Sequence, residues 1–124
     1  MLRQANAFSS FSVNEISEAK DFYNETLGLE LKESEMGLEL NLAGQTAVFI
    51  YSKPNHVPAT FTVLNFKVDD IENAVDDLIA KGVRCEQYTG EIQTDEKGIF
   101  RGSGSLIAWF KDPAGNILSL IQEF

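Results

Sequence analysis

Few side chains in this sequence are suited to metal or nucleophilic chemistry. The 124 residues include one histidine, His56, and one cysteine, Cys85. Two such residues cannot form a Cys/His zinc cluster, and a single cysteine cannot form an internal disulfide. His56 lies in the loop-like stretch KPNHVPAT, where we favour a solvated histidine over a general base. Cys85 lies in VRCEQY, a predicted strand, and we interpret it as a buried structural thiol rather than a nucleophile.

Three further residues are candidates for binding a ligand. Ser119 places a hydroxyl in the middle of the apolar stretch ILSLIQ. Trp109 can stack on a flat ligand or pack in the core, and both interpretations stay open. Arg101, near glycines in KGIFRGSG, can clamp a carboxylate or phosphate, or form an ordinary surface ion pair.

The charge balance limits the classes of partner. The formal net charge is −9, and such a surface repels the phosphate backbone of nucleic acids. No basic run suggests an anionic membrane as a partner. The start of the sequence, MLRQANAFSSF, lacks the apolar stretch of a signal peptide, and one unpaired cysteine fits a reducing compartment. We therefore expect a cytoplasmic protein with no nucleic-acid or membrane partner.

An internal repeat indicates which elements position these residues. FSVNEISEAKDFY (11–23) aligns without a gap to FKVDDIENAVDDL (66–78) at an offset of 55 residues. Each stretch is typical of a short strand, an acidic cap and an amphipathic helix. The predicted caps are Asn14 or Ser17 for the first helix and Asp69 or Asp70 for the second, and the helices are predicted to end near Gly28 and Gly82.

The second halves of the repeat also align. AGQTAVFI (43–50) matches AGNILSLI (114–121) at an offset of 71 residues, and each is predicted to close a β-hairpin. The chain is therefore predicted to be a single domain, residues 1–124, with the order β-α-β-β-β twice. The modules span about residues 6–53 and 60–123, with a proline-containing linker at 54–59. The glycine-rich stretch 88–105 is either a surface connection or a lid.

Three stretches carry a resemblance to a known family: FSVNEISEAKDFYNETLGLEL, NFKVDDIENAVDDLIAKGV and WFKDPAGNILSLIQ. Together they resemble the vicinal oxygen chelate superfamily, which includes glyoxalase I, bleomycin-resistance proteins and extradiol dioxygenases. The resemblance implies an α+β fold in which two tandem βαβββ modules form a curled mixed sheet, a half-barrel, around a central cavity. It also implies a small-molecule site in that cavity and a homodimer.

Strand alternation then predicts the cavity-facing residues. Phe11 and Val13 must face the following helix, which leaves Phe8, Ser10 and Ser12 for the cavity. The same alternation predicts further cavity residues on the other strands, and Arg101 and Trp109 join them as candidates. The predicted ligand-binding residues are Phe8, Ser10, Val48, Ile50, Val63, Asn65, Arg101, Trp109, Ser119 and Ile121.

The resemblance also indicates where metal-dependent relatives carry their ligands. Those positions are Phe8, Val48, Val63 and Ser119 in this sequence. A divalent metal requires imidazole, carboxylate or thiolate donors, which these four residues do not supply. We therefore expect no metal and no other cofactor.

The resulting functional hypothesis is a metal-independent small-molecule-binding protein with a mostly apolar cavity. The first alternative is a lyase or isomerase of the same superfamily, using Asn65, Ser119, Arg101 or His56 without a metal. The second is a partner-binding module with a vestigial cavity.

Overall fold

The computed structural model describes residues 1–45 and 47–124. The chain divides into two compact units, Met1–Val57 and Pro58–Phe124, called module 1 and module 2 below. Each module contains four strands and one helical segment in the same order, and each is described by itself.

Module 1 forms a four-stranded mixed sheet. Its elements are β1 (Ser9–Val13), α1 (Ile16–Asp21) continuing as a π-helical segment (Phe22–Thr26), β2 (Glu30–Ser34), β3 (Gly37–Asn41), a 3-10 turn (Ala43–Gln45) and β4 (Ala47–Ser52). The strand order is β1-β4-β3-β2, and β1 pairs with β4 in parallel while the other pairs are antiparallel.

Module 2 repeats this arrangement. Its elements are β5 (Thr62–Lys67), α2 (Ile71–Ala80), β6 (Ile99–Arg101), β7 (Ser105–Lys111) and β8 (Ile117–Glu123). The strand order is β5-β8-β7-β6, and again only the pair of the first and last strands is parallel. The α+β class and the two tandem βαβββ modules are thus confirmed.

One predicted strand is wrong. The stretch 83–88 forms no strand, and β6 at Ile99–Arg101 takes its place in the order. Within 83–88, Glu86 N–H donates to the Trp109 carbonyl (2.7 Å), whereas all three residues of β6 pair with β7. The polar stretch 88–105 therefore contains sheet structure of its own, and a bridge between Thr94 and Phe100 extends it.

The predicted N-cap of the helix is confirmed in module 2 and is wrong in module 1. Asp70 caps α2, because its side chain accepts a hydrogen bond from the Asn73 N–H (3.2 Å). In module 1 the N-cap is Glu15, without a side-chain capping bond, so the prediction of Asn14 or Ser17 is wrong.

The core of each module lies between its helix and one face of its sheet. In module 1 the helical residues Ala19, Phe22 and Tyr23 are buried, and in module 2 Ile71, Val75 and Leu78 are. The sheets contribute Val13, Leu38, Leu40, Val48 and Ile50 in module 1, and Ile99, Ala108, Phe110, Leu118 and Leu120 in module 2. Among the described residues, no helix is long and apolar enough to cross a membrane.

Candidate functional site

The face of the module 2 sheet that points away from α2 carries the strongest candidate site. Ser119 on β8 pairs with Asn65 on β5 and with Trp109 on β7. Residues paired across a ladder lie on the same face of a sheet, so these three are neighbours. Gln122 on β8 reaches the start of α2, where its Oε1 accepts from the Ile71 N–H (2.9 Å). Because alternate residues face opposite sides, Ser119 points away from that helix.

Ser119 and Asn65 form the polar centre of this face. The Ser119 hydroxyl donates to Oδ1 of Asn65 (2.5 Å). Ser119 is 0% exposed, whereas Asn65 is exposed. The bond satisfies the buried hydroxyl and orients the amide, which keeps two N–H donors on Nδ2 for a carbonyl or other acceptor.

An aromatic cluster stands beside this pair. The half-buried Trp109 ring lies 5.5 Å from the Tyr88 ring in an edge-on arrangement and 6.2 Å from the Phe100 ring. Phe100 pairs with Ile107 on β7 and so shares the face of Trp109. Burial, followed by the nearby Glu86 carboxylate, raises the pKa of Tyr88, so its hydroxyl stays neutral at physiological pH.

Charged groups at the border of this face are paired. Lys67 Nζ lies 3.1 Å from the Glu123 carboxylate, and Lys111 Nζ lies 3.4 Å from that of Glu86. Ile121 pairs with Lys67 and shares the face. The paired charges leave a face that is mainly apolar and aromatic, with Asn65 as its exposed hydrogen-bonding group.

The structure does not bring Arg101 into this group, and the face of Val63 stays a prediction. Arg101 pairs with Leu106, on the helix side of the sheet, and its guanidinium contacts the carboxylates of Glu72 (2.7 Å) and Asp95 (3.1 Å). This is the ion-pair alternative left open by the sequence. Val63 is half-buried in β5, at an irregularity of the β5–β8 ladder between Thr62 and Leu64.

In module 1, the predicted face of β4 is wrong. Val48 and Ile50 are 3% and 0% exposed, and Ile50 pairs with Phe11 on the helix side of β1. Ser10 pairs instead with Phe49, and both lie on the face of the module 1 sheet that points away from α1. In each module, the face of the sheet that points away from the helix is called the outward face below. Phe8 precedes β1, is 68% exposed, and contacts Phe49 edge-on with ring centroids 6.5 Å apart.

The physical reason is the position of a glycine within each hairpin turn. Both turns contain five residues, since Asn41 pairs with Ala47 and Lys111 pairs with Ile117. The left-handed glycine is third in the first turn (Gly44, φ 82°) and fourth in the second (Gly115, φ 86°). Aligning the glycines therefore shifted the strands by one residue, which exchanges the two faces.

A contact between Ser12 and His56 on module 1 was not predicted from the sequence. His56 is half-buried, and its Nδ1 lies 2.6 Å from the Ser12 hydroxyl oxygen. The two residues are 44 positions apart, and nothing in their local sequence indicates the contact. Tyr88 and Phe100 were also missed, because they lie in a stretch whose polar composition predicts a loop.

The Cys85 environment agrees with its interpretation as a structural thiol. Burial, followed by the carboxylates of Glu86 and Asp95, raises its pKa to about 11. The thiolate is the reactive form, so this side chain is poorly suited to act as a nucleophile near neutral pH.

The donor set does not fit a divalent metal at the positions used by metal-dependent relatives. In module 1 these positions are Phe8 and, with the corrected register, Phe49 in place of Val48. In module 2 they are Val63 and Ser119, and the Ser119 hydroxyl is already hydrogen-bonded to Asn65. Phenyl and alkyl groups do not ligate metals, and one neutral hydroxyl does not replace imidazole or carboxylate. Within 1–45 and 47–124 there is also no group of three or more His, Cys, Asp or Glu residues placed to hold a metal.

The family model for the glyoxalase/bleomycin resistance protein/dioxygenase superfamily matches residues 7–120. The chain belongs to this superfamily. The match covers both modules, as the internal repeat predicts.

Three known proteins are similar to this chain over most of its length. The uncharacterized protein YraH of Bacillus subtilis (strain 168) is 27% identical over 126 residues, covering 89% of this chain and 91% of YraH. The crystal structure of TnmS3, an antibiotic binding protein from Streptomyces sp. CB03234, is 25% identical with a TM-score of 0.70 and covers 98% of both chains. The fosfomycin resistance protein FosX from Listeria monocytogenes has a TM-score of 0.70 at 14% identity, covering 98% of this chain and 94% of FosX, and shows the shared fold alone.

Proposed function

We propose that this chain is a metal-independent small-molecule-binding protein that holds its ligand on the outward face of module 2. The observation that carries the proposal is the buried Ser119 hydroxyl bonded to the exposed Asn65 amide, next to the half-buried Trp109 ring. An apolar surface with a few fixed polar groups is the usual composition of a small-molecule site. The similarity to TnmS3, an antibiotic binding protein, supports the same class of function.

The geometry favours a flat, largely apolar ligand that carries a hydrogen-bond acceptor. The Trp109 ring offers a stacking surface bordered by Tyr88 and Phe100, and Asn65 offers N–H donors. A strongly anionic ligand is disfavoured, because Lys67 and Lys111 are paired with carboxylates. The roles of Ile121, Val63 and the module 1 residues in ligand binding stay predictions.

A fluorescence titration tests this proposal. Trp109 is the only tryptophan, so its emission reports on the module 2 face. With naphthalene-2-carboxamide as the first of a panel of planar amides, we expect a saturable change in emission. Asn65→Ala should weaken binding about fivefold, since a hydrogen bond to a ligand contributes about 1 kcal/mol. Ser10→Ala is the matched control, because Ser10 has the corresponding position in module 1.

Two results would contradict the binding proposal. One is that no member of the panel binds, and the other is that Asn65→Ala and Ser10→Ala bind with the affinity of the wild type. Stoichiometric zinc, nickel, manganese or iron in protein purified without chelators would contradict metal independence. Turnover of an aldehyde or an epoxide would replace a binding role with that of a lyase or isomerase.

We further propose a cytoplasmic homodimer with no nucleic-acid partner. The net charge of −9 supports the absence of a nucleic-acid partner, and the unpaired Cys85 is suited to a reducing compartment. Exposed large apolar side chains, including Phe8, Val57 and Phe61, support self-association. A molar mass of one chain in light scattering at micromolar concentration would refute the dimer.

A further inference from the structure

We propose that Ser12 and His56 form a nucleophile–base pair on module 1 that accepts acyl groups from small activated esters. The Ser12 Oγ lies 2.6 Å from His56 Nδ1, within the distance a general base needs to take a proton from a nucleophile. This activity is separate from ligand binding on module 2.

Backbone hydrogen bonds hold the turn that carries His56. The Lys53 N–H donates to the Val13 carbonyl (2.9 Å), directly after Ser12 in the chain. The His56 N–H donates to the Lys53 carbonyl (3.0 Å), which closes the turn over Lys53–His56. Pro54 restricts the backbone within that turn. The imidazole is therefore held beside the serine by the main chain as well as by the side-chain contact.

Ser12 occupies an accessible position for an acyl donor. It lies on β1, one of the two edge strands of the module 1 sheet, and is half-buried. It pairs with Tyr51, and the neighbouring pair on the same face is Ser10 with Phe49. These two rings offer an apolar surface next to the hydroxyl, which suits a short aliphatic or aromatic acyl group.

The chemistry balances without a cofactor. Ser12 Oγ attacks the ester carbonyl carbon, and its proton passes to His56 Nδ1 in the tautomer that carries the ring proton on Nε2. The tetrahedral intermediate expels the alcohol or phenol, which takes the proton from the imidazolium, and leaves an ester on Ser12. Water then attacks that ester while Nδ1 accepts a proton from the water. The carboxylic acid is released, and Ser12 recovers its hydroxyl proton from the imidazolium.

The test uses the full chain with p-nitrophenyl acetate and, separately, an alkyl fluorophosphonate. We expect release of p-nitrophenolate and a phosphonyl adduct that maps to the peptide containing Ser12. Ser12→Ala should abolish the adduct, and His56→Ala should slow both reactions roughly 100-fold, the usual contribution of a general base. Ser9→Ala is the control, because Ser9 lies on the same strand as Ser12 but on the opposite face of the sheet, where it pairs with Val48.

Three results would overturn the proposal. They are no adduct at Ser12, equal labelling of Ser9 and Ser12, or unchanged rates in a folded His56→Ala variant. His56→Asn provides a second base-deficient variant if His56→Ala does not fold, as judged by circular dichroism. Because the probe and the variants all concern module 1, failure here leaves the fluorescence titration of Trp109 on module 2 unaffected.

Discussion

The two modules share one framework but carry different chemistry on their outward faces. In module 2, Asn65 pairs with Ser119, and the two form a hydrogen bond. The corresponding pair in module 1 is Ser10 with Phe49, where Phe49 contacts the Phe8 ring instead. The helix-side residues must stay apolar to fill the core, whereas the outward face has no such constraint. The two modules therefore share the same kind of core, whereas the candidate sites on their outward faces differ.

The modules also differ in the connection between helix and sheet. In module 1, only residues 27–29 separate the helical segment, which ends at Thr26, from β2, which begins at Glu30. In module 2, the longer stretch 81–98 precedes β6, and it is held to α2 by Lys97, whose Nζ lies 2.6 Å from the Glu72 carboxylate. This connection supplies Tyr88 to the aromatic cluster around Trp109. The longer connection therefore builds part of the site that module 1 lacks.

The largest expected effect concerns the two hairpin turns. In module 2 the buried Asp112 accepts hydrogen bonds from the Ala114 N–H (2.9 Å), the Asn116 N–H (2.9 Å) and the Asn116 side-chain amide (3.0 Å). Asp112→Ala removes these acceptors and should lower the free energy of unfolding by about 3 kcal/mol. Urea denaturation measures the loss. Leu42→Ala, at the same turn position in module 1, should cost only about 1 kcal/mol. Equal losses would show that both turns depend on packing rather than on a side-chain cap.

The next effect concerns the reactivity of Cys85 in the longer connection. Its pKa of about 11 leaves little thiolate at neutral pH, so alkylation by iodoacetamide should be roughly 100-fold slower than that of a free cysteine. Mass spectrometry during a time course measures the rate, with urea-unfolded protein as the control. A folded-state rate equal to the unfolded one would mean that this connection opens readily.

The smallest expected effect concerns the ion pairs that hold the connection to α2. Hydrogen bonds from Lys97 and then Arg101 lower the pKa of Glu72. Burial tends to raise the pKa of Asp95, but backbone hydrogen bonds from Ile99 and Lys97 and the contact with Arg101 lower it overall. A carboxyl group with a lowered folded-state pKa stabilises the protein above its unfolded pKa, near 4.3 for glutamate, and loses that contribution as pH falls through the folded value.

Glu72→Gln should therefore flatten the acid side of the stability–pH curve and change the stability only slightly at pH 7, because the group is largely solvated. Thermal unfolding from pH 7 down to pH 3 measures the curve. Glu33→Gln, which removes the exposed pair with Lys20 in module 1, is the matched control. An identical curve for both variants would indicate that the module 2 network holds its connection no better than a single surface pair.

Sequence patterns predicted the elements of the core well, because helix and strand periodicities record which residues must be buried. The repeat of strand, helix and three strands followed from such patterns, as did the choice of Asp69 or Asp70 for the α2 cap, of which the structure has Asp70. The face of β4 was predicted wrongly, since two glycines at different turn positions produced an alignment that was one residue out of register. The assignment of a strand to 83–88 was wrong because a short local pattern does not reveal which segment pairs with β7.

The candidate site was predicted in part. Asn65, Trp109, Ser119 and Ile121 do share one face, as strand alternation within a module implies. Arg101 does not lie with them, because its guanidinium forms ion pairs with Glu72 and Asp95 on the other side of the sheet. Ion-pair partners 29 and 6 positions away are a property of the fold, which composition does not specify.

By itself, the sequence determined the α+β class, the tandem repeat and the helix faces that fill each core, because burial imposes periodicities that are written locally along the chain. Only the tertiary structure decided that Ser119 bonds to Asn65, that Phe49 rather than Val48 faces outward, and that His56 lies beside Ser12. Each of these depends on register or on a turn bringing distant residues within hydrogen-bond distance, and a one-residue shift reverses which side chains meet.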